Sequence, residues 1–373
     1  MRGKTVIAGV GHTTFAKQPG RSTISMNVEA CRRALEDASI EKDMVDALYV
    51  KYPTSRPESF YGQQLAEAMG IVPKVGGAWD QGGAANASMI GMAAMAIEAG
   101  LCNVALVSFA DNPRSGTRQA YESAGPNGVY GWFGVPAQYA MVAQRHMAEY
   151  GTTSEQLGAV AVAARKHGAA NPRAQLRKPI AISDHQDSRW IVEPLRRADC
   201  CLISDGGGAV VVTSAKRANE LGIDHAVPIL GFGQGQTSWD IEQRPVLTST
   251  AAKASAEIAF RMAGVSQKDI DVAQLYDCFT ITVLMMLEDY GFCAPGEGGK
   301  FVEDGALEVG GVLPTNTSGG LLSETGMPGM QLVIEAVRQL RGESTSQVPG
   351  ARTAIVGNQG GVMTTHSTLI LGR

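Results

Sequence analysis

The sequence predicts an α/β protein made of two duplicated halves, each a sheet layered with helices, with one long segment inserted into the first half. Short apolar runs that read as strands alternate with longer runs at helical spacing, the pattern of sheets with helices packed on them. The order of these runs then repeats. Pro228–Gly233 matches Val6–Gly11 at an offset of 222 residues, and 265–271 (VSQKDID) matches 40–46 (IEKDMVD) at an offset of 225. A fainter echo joins Gly91-Met92 and Ile97-Glu98-Ala99 to Gly329-Met330 and Ile334-Glu335-Ala336. The preserved order, with a small change of offset that one loop indel explains, favours duplication. With 45 glycines and only 6% aromatic residues in 373, the composition suits close turns and tight layers.

Residues 5–11 (TVIAGVG) read as the first strand and end in Gly9 and Gly11. Ser25–Ala38 has apolar residues at helical spacing, and Val45–Val50 is a second strand. After the Gly82-Gly83 turn, Ala84–Gly100 is rich in Ala, Gly and Met, so it is expected to be a central helix buried on several sides. Asn103–Phe109 is the next strand. In the second half the equivalents are helix Thr250–Ala263, helix Met330–Leu340 and strand Thr353–Val356. Both halves close with glycines and a β-branched run, Gly206–Thr213 and Gly360–Leu371. The halves are assigned to residues 1–110 plus 198–226, and to 227–373.

Residues 111–197 have no counterpart in the second half. The segment holds the turn Gly125-Pro-Asn-Gly128, the aromatic cluster Tyr130, Trp132 and Phe133, and a helix Pro136–Tyr150 that stops at Gly151. Thr153-Ser-Glu-Gln156 is a capping box that opens helix Glu155–His167. An insert of this length is expected to form a lid or binding surface.

Gly310–Gln331 (GGVLPTNTSGGLLSETGMPGMQ) is a glycine- and hydroxyl-rich loop leading into a helix. Ser318, Gly319 and Gly320 let the backbone approach a ligand closely, and the helix start aims N–H groups at it. The net charge of −4 gives no electrostatic case for nucleic acid or an anionic membrane. No apolar run reaches the length of a membrane span, and the N-terminus has no signal-like pattern. The six cysteines, 31, 102, 200, 201, 278 and 293, are not in metal spacing. The adjacent Cys200 and Cys201 are expected to be buried thiols in a reducing cytoplasm.

Leu275-Tyr-Asp-Cys-Phe-Thr280, Asn316-Thr-Ser-Gly-Gly-Leu-Leu-Ser323, the Ala198–Ala209 run (ADCCLISDGGGA) and the duplication resemble the thiolase superfamily. The resemblance covers nearly the whole chain and is nearest to the sterol-carrier-protein-type thiolases and nonspecific lipid-transfer proteins. It implies a five-layered αβαβα fold, a homodimer, coenzyme A thioesters as substrates with no bound cofactor or metal, and an inserted loop domain over the active site. Four family positions differ. Gly83 stands where a thiolase has its nucleophilic cysteine, and Met327 where the Gly-His-Pro turn has its histidine. Asn358-Gln359-Gly360 replaces the late Cys-x-Gly, and Tyr276 replaces the histidine of a His-Asp-Cys-Phe box.

A chain so altered lacks the acyl-accepting thiolate. It resembles the lipid-transfer-type aldolases that shorten steroid side chains with a small OB-fold and zinc-ribbon partner, an arrangement that implies a heterotetramer. Retro-aldol cleavage of a β-hydroxyacyl-CoA is the expected reaction. Two other readings stay open: an acyltransferase with its nucleophile moved to Cys278, and a non-catalytic subunit that binds acyl-CoA or lipid. The expected catalytic group is Tyr276, His366, Glu324, Asn316 and Asn358. Gly83, Ser318, Gly319, Gly360 and His167 are expected to contact the CoA ester, with Asn171 beside them.

Overall fold

The computed structural model describes residues 1–116, 126–131, 134–327 and 329–373. Trp132, Phe133, Gly125 and Pro328 lie outside the described residues.

The first half supplies β1 (Thr5–His12), α1 (Thr23–Ala38), β2 (Ala47–Lys51), α2 (Tyr61–Met69), β3 (Val75–Trp79), α3 (Ala85–Glu98) and β4 (Val104–Asp111). The chain then leaves the sheet for α4 (Gly134–Tyr150), α5 (Ser154–Ala170), α6 (Ile182–Gln186) and the small hairpin β5 (Trp190–Val192) and β6 (Leu195–Arg196). It returns as β7 (Gly206–Ser214) and α7 (Ala215–Glu220). The second half runs β8 (Val227–Gln236), α8 (Ala252–Ala263), β9 (Val272–Leu275), α9 (Thr280–Asp289), α10 (Gly298–Phe301), α11 (Gly320–Ser323), α12 (Met330–Arg341), β10 (Thr353–Gly360) and β11 (Thr365–Gly372).

The strands stand in the order β3-β2-β4-β7-β1-β8-β11-β10-β9. This is one half-sheet, β3 to β1, joined to its repeat, β8 to β9, by a short antiparallel seam at Val6–Pro228 and Ile7–Val227. The repeat lacks a full fifth strand, but Thr315 bridges Ala273 of β9 in parallel, in the place that β3 takes beside β2. Two central helices, α3 and α12, each touch strands of both half-sheets, whereas α1 packs on β1, β4 and β7 and α8 on β8 and β11. These are the five layers of a thiolase-like fold.

The repeated sequence marks repeated physics. Gly9 and Gly231 are the close-approach points of the outer helices: a Cβ on Gly9 would stand 2.7 Å from Ala38 Cβ, and one on Gly231 3.0 Å from Ala263 Cβ. Asp46 accepts hydrogen bonds from Asn103 N and Val104 N at 2.8 and 2.9 Å and pins the start of β4. Its repeat, Asp271, accepts from Arg352 N and Thr353 N at 2.8 and 2.9 Å and pins the start of β10.

α3 is buried nearly all round, as its composition predicts. Thr153 and Gln156 form the expected capping box at the head of α5. Two polar clamps fasten the inserted segment to α9. His185 Nε2 lies 2.8 Å from Asp199 Oδ1, which also accepts from Thr280 Oγ1 at 2.7 Å. His146 Nε2 lies 3.2 Å from Glu288 Oε1. Cys200 and Cys201, expected to be buried, are half-buried, because the run before β7 forms a loop and not a core strand.

Candidate active site

The two halves meet where the head of α3 touches the end of β10. Gly82 takes φ +55°, and a Cβ there would lie 2.9 Å from Gly360 Cα. Only glycine on both sides lets these turns touch. Neither α3 nor α12 has a side-chain cap, so the positive ends of two buried helices face this junction uncompensated by side chains.

Tyr276 follows β9 and enters the same place. A Cβ on Gly83 would stand 2.5 Å from both Tyr276 Cζ and the carbonyl oxygen of Gln359. The phenol ring therefore fills the volume that a side chain at the head of α3 would need. The backbone fixes it: Tyr276 N donates to Gly357 O at 2.9 Å, and its carbonyl accepts from Thr282 Oγ1 at 2.7 Å. Beside it, Gln359 Nε2 donates to Tyr139 Oη at 2.8 Å and lies 3.0 Å from Cys278 Sγ. Tyr139 Oη donates to Gly361 O at 2.9 Å, and its ring stacks on Phe279 at 4.4 Å. Burial and the nearby Cys278 hold the Tyr139 phenol far above its usual range, so it stays protonated.

The loop 315–325 wraps the other side of the Tyr276 turn. Asp277 accepts from Leu321 N at 2.8 Å and Leu322 N at 3.3 Å. Gly320, at φ +58°, leaves the room, since a Cβ there would be 2.7 Å from Asp277 Cγ. Burial outweighs these bonds and raises the Asp277 carboxyl to about 7. Asp277, Gln359 and Tyr139 are site residues that sequence reasoning missed. The first lies inside the matched Tyr-Asp-Cys-Phe box and could have been named from it.

The expected residues separate into those the fold brings to this junction and those it takes elsewhere. Tyr276, Gly83 and Gly360 converge directly. Asn358 is next in line: its Nδ2 is 3.4 Å from Gly329 O at the head of α12, and its buried Oδ1 has no hydrogen-bond partner among the described residues. Asn316 has a backbone role. Its amide closes a two-point clamp on Leu275, accepting from N at 2.7 Å and donating to O at 2.8 Å, with φ at +53°. His167 Nδ1 lies 3.2 Å from the Asn316 carbonyl and so carries the proton, which leaves a buried Nε2 with no partner among the described residues. Burial lowers its pKa and keeps it neutral at neutral pH.

Asn171 Nδ2 donates to Ser318 O at 2.9 Å and to Glu324 Oε1 at 3.1 Å, tying the end of α5 to the loop. Gly319 allows that contact, since a Cβ there would meet Gly168 Cα at 2.8 Å. Glu324 thus faces α5, with Arg173 at 4.0 Å, and burial, then Glu335, raises its carboxyl to about 7.

His366 is the clear departure. On β11 its neighbour Ser367 points to α3 and donates to Ala84 O at 2.6 Å, so His366 faces the opposite side of the sheet. There it lies 3.0 Å from Tyr290 Oη and 3.1 Å from Asn358 O, and burial pushes its pKa down to about 3. Its cross-strand partner Gln359 shares that face and reaches Tyr139 and Cys278, whereas His366 turns to Tyr290. Tyr290 also lines an outer cleft of about 670 Å³ between α8, the end of α9 and Tyr150, which includes none of the junction residues. Cys278 is buried, and burial raises its thiol well above the usual range, which disfavours the nucleophilic thiolate.

Residues 233–373 match the family model described as "Thiolase C-terminal domain-like". The chain is 41% identical to a steroid side-chain-cleaving aldolase of Thermomonospora curvata, over 99% of this chain and 98% of that protein. It is 38% identical to a 17-hydroxy-3-oxo-4-pregnene-20-carboxyl-CoA lyase of Mycobacterium tuberculosis, with both chains covered in full. Among solved structures, it superposes on a chain of an Ltp2-ChsH2(DUF35) aldolase with a TM-score of 0.88, at 39% identity, covering 100% of this chain and 98% of that one. With its duplicated halves and these relatives, the chain belongs to the thiolase superfamily, in the sterol-carrier-protein-type branch that includes steroid side-chain-cleaving aldolases.

Proposed function

We propose that the protein cleaves a C–C bond in a β-hydroxyacyl-CoA by a retro-aldol route with no covalent acyl-enzyme. The observation that carries this is the Tyr276 ring in the volume at Gly83. The phenol and a nucleophilic side chain at the head of α3 exclude each other. An acid–base group therefore stands where the family's acyl acceptor would.

In the proposed reaction the β-hydroxyl gives up its proton, the Cα–Cβ electron pair becomes the thioester enolate, and the β-carbon leaves as a ketone or aldehyde. The enolate then takes a proton at Cα, so the step is redox-neutral. Tyr276 is the proposed proton-transfer group. The uncapped heads of α3 and α12, with the Asn358 amide, are the proposed stabilisers of the enolate oxygen. His167 and the 318–320 loop are the proposed CoA-facing wall, with residues 111–197 as the covering domain. The names of the matched relatives support a bulky steroid-like acyl group.

A homodimer is proposed across β3, an edge strand whose one neighbour among the described residues is β2. The matched aldolase complex supports a small DUF35-type OB-fold and zinc-ribbon partner, and with the dimer a heterotetramer. Among the described residues no helix is long and apolar enough to cross a membrane, and the six free cysteines support a reducing, cytoplasmic setting.

The test is Tyr276→Phe. Turnover of a β-hydroxyacyl-CoA should fall at least about a hundredfold with unchanged circular dichroism. Full turnover by the variant would remove Tyr276 from the chemistry.

A further inference from the structure

The turn between β10 and β11 holds two residues in the left-handed region, Gly361 at φ +63° and Met363 at φ +59°. Glycine takes such an angle freely. A buried methionine does not, and keeps it only where its surroundings over-determine it. Here they do so carbonyl by carbonyl. Tyr139 Oη donates to Gly361 O at 2.9 Å, and Arg244 Nη1 to Val362 O at 2.7 Å. Ala251 N donates to Met363 O at 3.4 Å, and Thr237 N to Thr364 O at 2.7 Å. Within the turn, Met363 N donates to Gln359 Oε1 at 3.1 Å.

This turn is the second half's face of the junction, where Gly360 meets Gly82 and the Gln359 carbonyl stands against Gly83. Thr237, Arg244 and Ala251 belong to the connection from β8 to α8. Tyr139 comes from α4, in the inserted segment. Its side chain is buried and has two separate contacts. The ring stacks on Phe279, at the end of the Tyr276-Asp-Cys-Phe box. The hydroxyl accepts from Gln359 Nε2 at 2.8 Å while it donates to Gly361. One side chain of the insert therefore grips both the turn that carries Tyr276 and the turn that faces α3. Removing the hydroxyl would leave a buried carbonyl and a buried amide short of a partner, at a backbone held under strain.

We propose that Tyr139 is a positioning residue, through which the inserted segment holds the strained 360–364 turn against the head of α3. It acts through Gln359 and Gly361 and not on the substrate itself. The proposal rests on the reading of the junction as the active site, and it does not depend on the role given there to Tyr276.

The experiment compares Tyr139→Phe with Tyr61→Phe in the full chain, with a steroid-like β-hydroxyacyl-CoA as substrate. Tyr139→Phe keeps the stacked ring and removes only the hydroxyl. Tyr61 is the control: it is equally buried, and its Oη accepts from Asn27 Nδ2 at 2.9 Å, on α2 of the outer layer. Both variants should lower the urea midpoint. Only Tyr139→Phe should lose kcat, at least about tenfold, with KM within about twofold of wild type. Wild-type kcat in Tyr139→Phe overturns the proposal. So does an equal loss in Tyr61→Phe, which would make the effect one of stability, or a raised KM at constant kcat, which would make Tyr139 part of the substrate wall. If Tyr139→Phe does not fold, Gln359→Met, which removes the amide that Tyr139 and Met363 share, must show the same loss of kcat at constant KM, and wild-type kcat there overturns the proposal as well. If Tyr276→Phe keeps full turnover while Tyr139→Phe loses it, the acid–base reading falls and the positioning role stands.

Discussion

Replacing Gly83 with alanine adds one methyl group 2.5 Å from Tyr276 Cζ, where carbon atoms ordinarily stand about 3.5–4.0 Å apart. The ring must retreat by roughly 1 Å or more to relieve the contact. Overpacking of this kind costs about 1–3 kcal/mol of stability, and a misplacement of about 1 Å at a reacting group costs on the order of a hundredfold in rate. Gly91, further along α3, is a matched control. A Cβ there would stand 2.5 Å from Phe232 Cδ1, an equal clash with a ring away from the junction. Gly83→Ala and Gly91→Ala should therefore lose similar stability in urea, and only Gly83→Ala should lose turnover. Gly83→Cys should behave like Gly83→Ala and gain no thiolysis of acetoacetyl-CoA. A Gly83→Ala enzyme that keeps wild-type kcat would refute the argument that Tyr276 must sit against α3 to work. Thiolysis by Gly83→Cys would refute the claim that phenol and nucleophile exclude each other.

Three further outcomes are expected. The Glu324 carboxyl, ordinarily near 4.5, is raised to about 7, so the folded state holds its proton more tightly than the unfolded chain. Its stability contribution is complete below its ordinary pKa and is lost as pH rises through about 7. Glu324→Gln should then gain on wild type between pH 4 and pH 8, by at most about 3 kcal/mol in urea unfolding, and a pH-independent difference would contradict this. His185→Ala breaks a fully buried pair that ties α6 to the head of α9. It should cost about 3–5 kcal/mol and speed proteolysis between 134 and 197, and an unmoved unfolding midpoint would rule that out. Burial raises Cys31 to about 12, Cys102 to about 11 and Cys293 to about 12, with Cys278 also well above its usual range. Iodoacetamide should label these thiols slowly and with no protection by acyl-CoA. Fast, substrate-protected labelling of Cys278 would restore the acyl-transfer route.

The duplication was readable because both copies solve the same local problems with the same residues. The glycines of β1 and β8 and the aspartates at 46 and 271 recur at nearly constant offset. β3 was not readable, since Val75-Gly-Gly-Ala-Trp79 has no apolar alternation and is a strand only by pairing with β2. α9 was equally silent, because a helix buried on every side has no polar stripe to reveal its period. At the candidate site, the family match named Tyr276 and Gly83, which the fold brings into contact. It also named His366, whose contact with Tyr290 depends on the packing around β11 and is not readable in Thr-Thr-His-Ser-Thr. Asn316 lies in the right loop, but that its amide turns to Leu275 depends on a backbone angle that sequence does not state.

The touching turns at Gly82 and Gly360 have a historical consequence. One copy brings the Gly82 turn at the head of α3 and the other the Gly360 turn at the end of β10, and neither turn alone encloses anything. A site arises only where two copies face each other, so its chemistry belongs to the boundary between repeats and to neither repeat. Changes on one side of such a boundary can be answered on the other. A side chain missing from α3 and a ring arriving from the β9 turn make one exchange of this kind, across a seam that the duplication itself created.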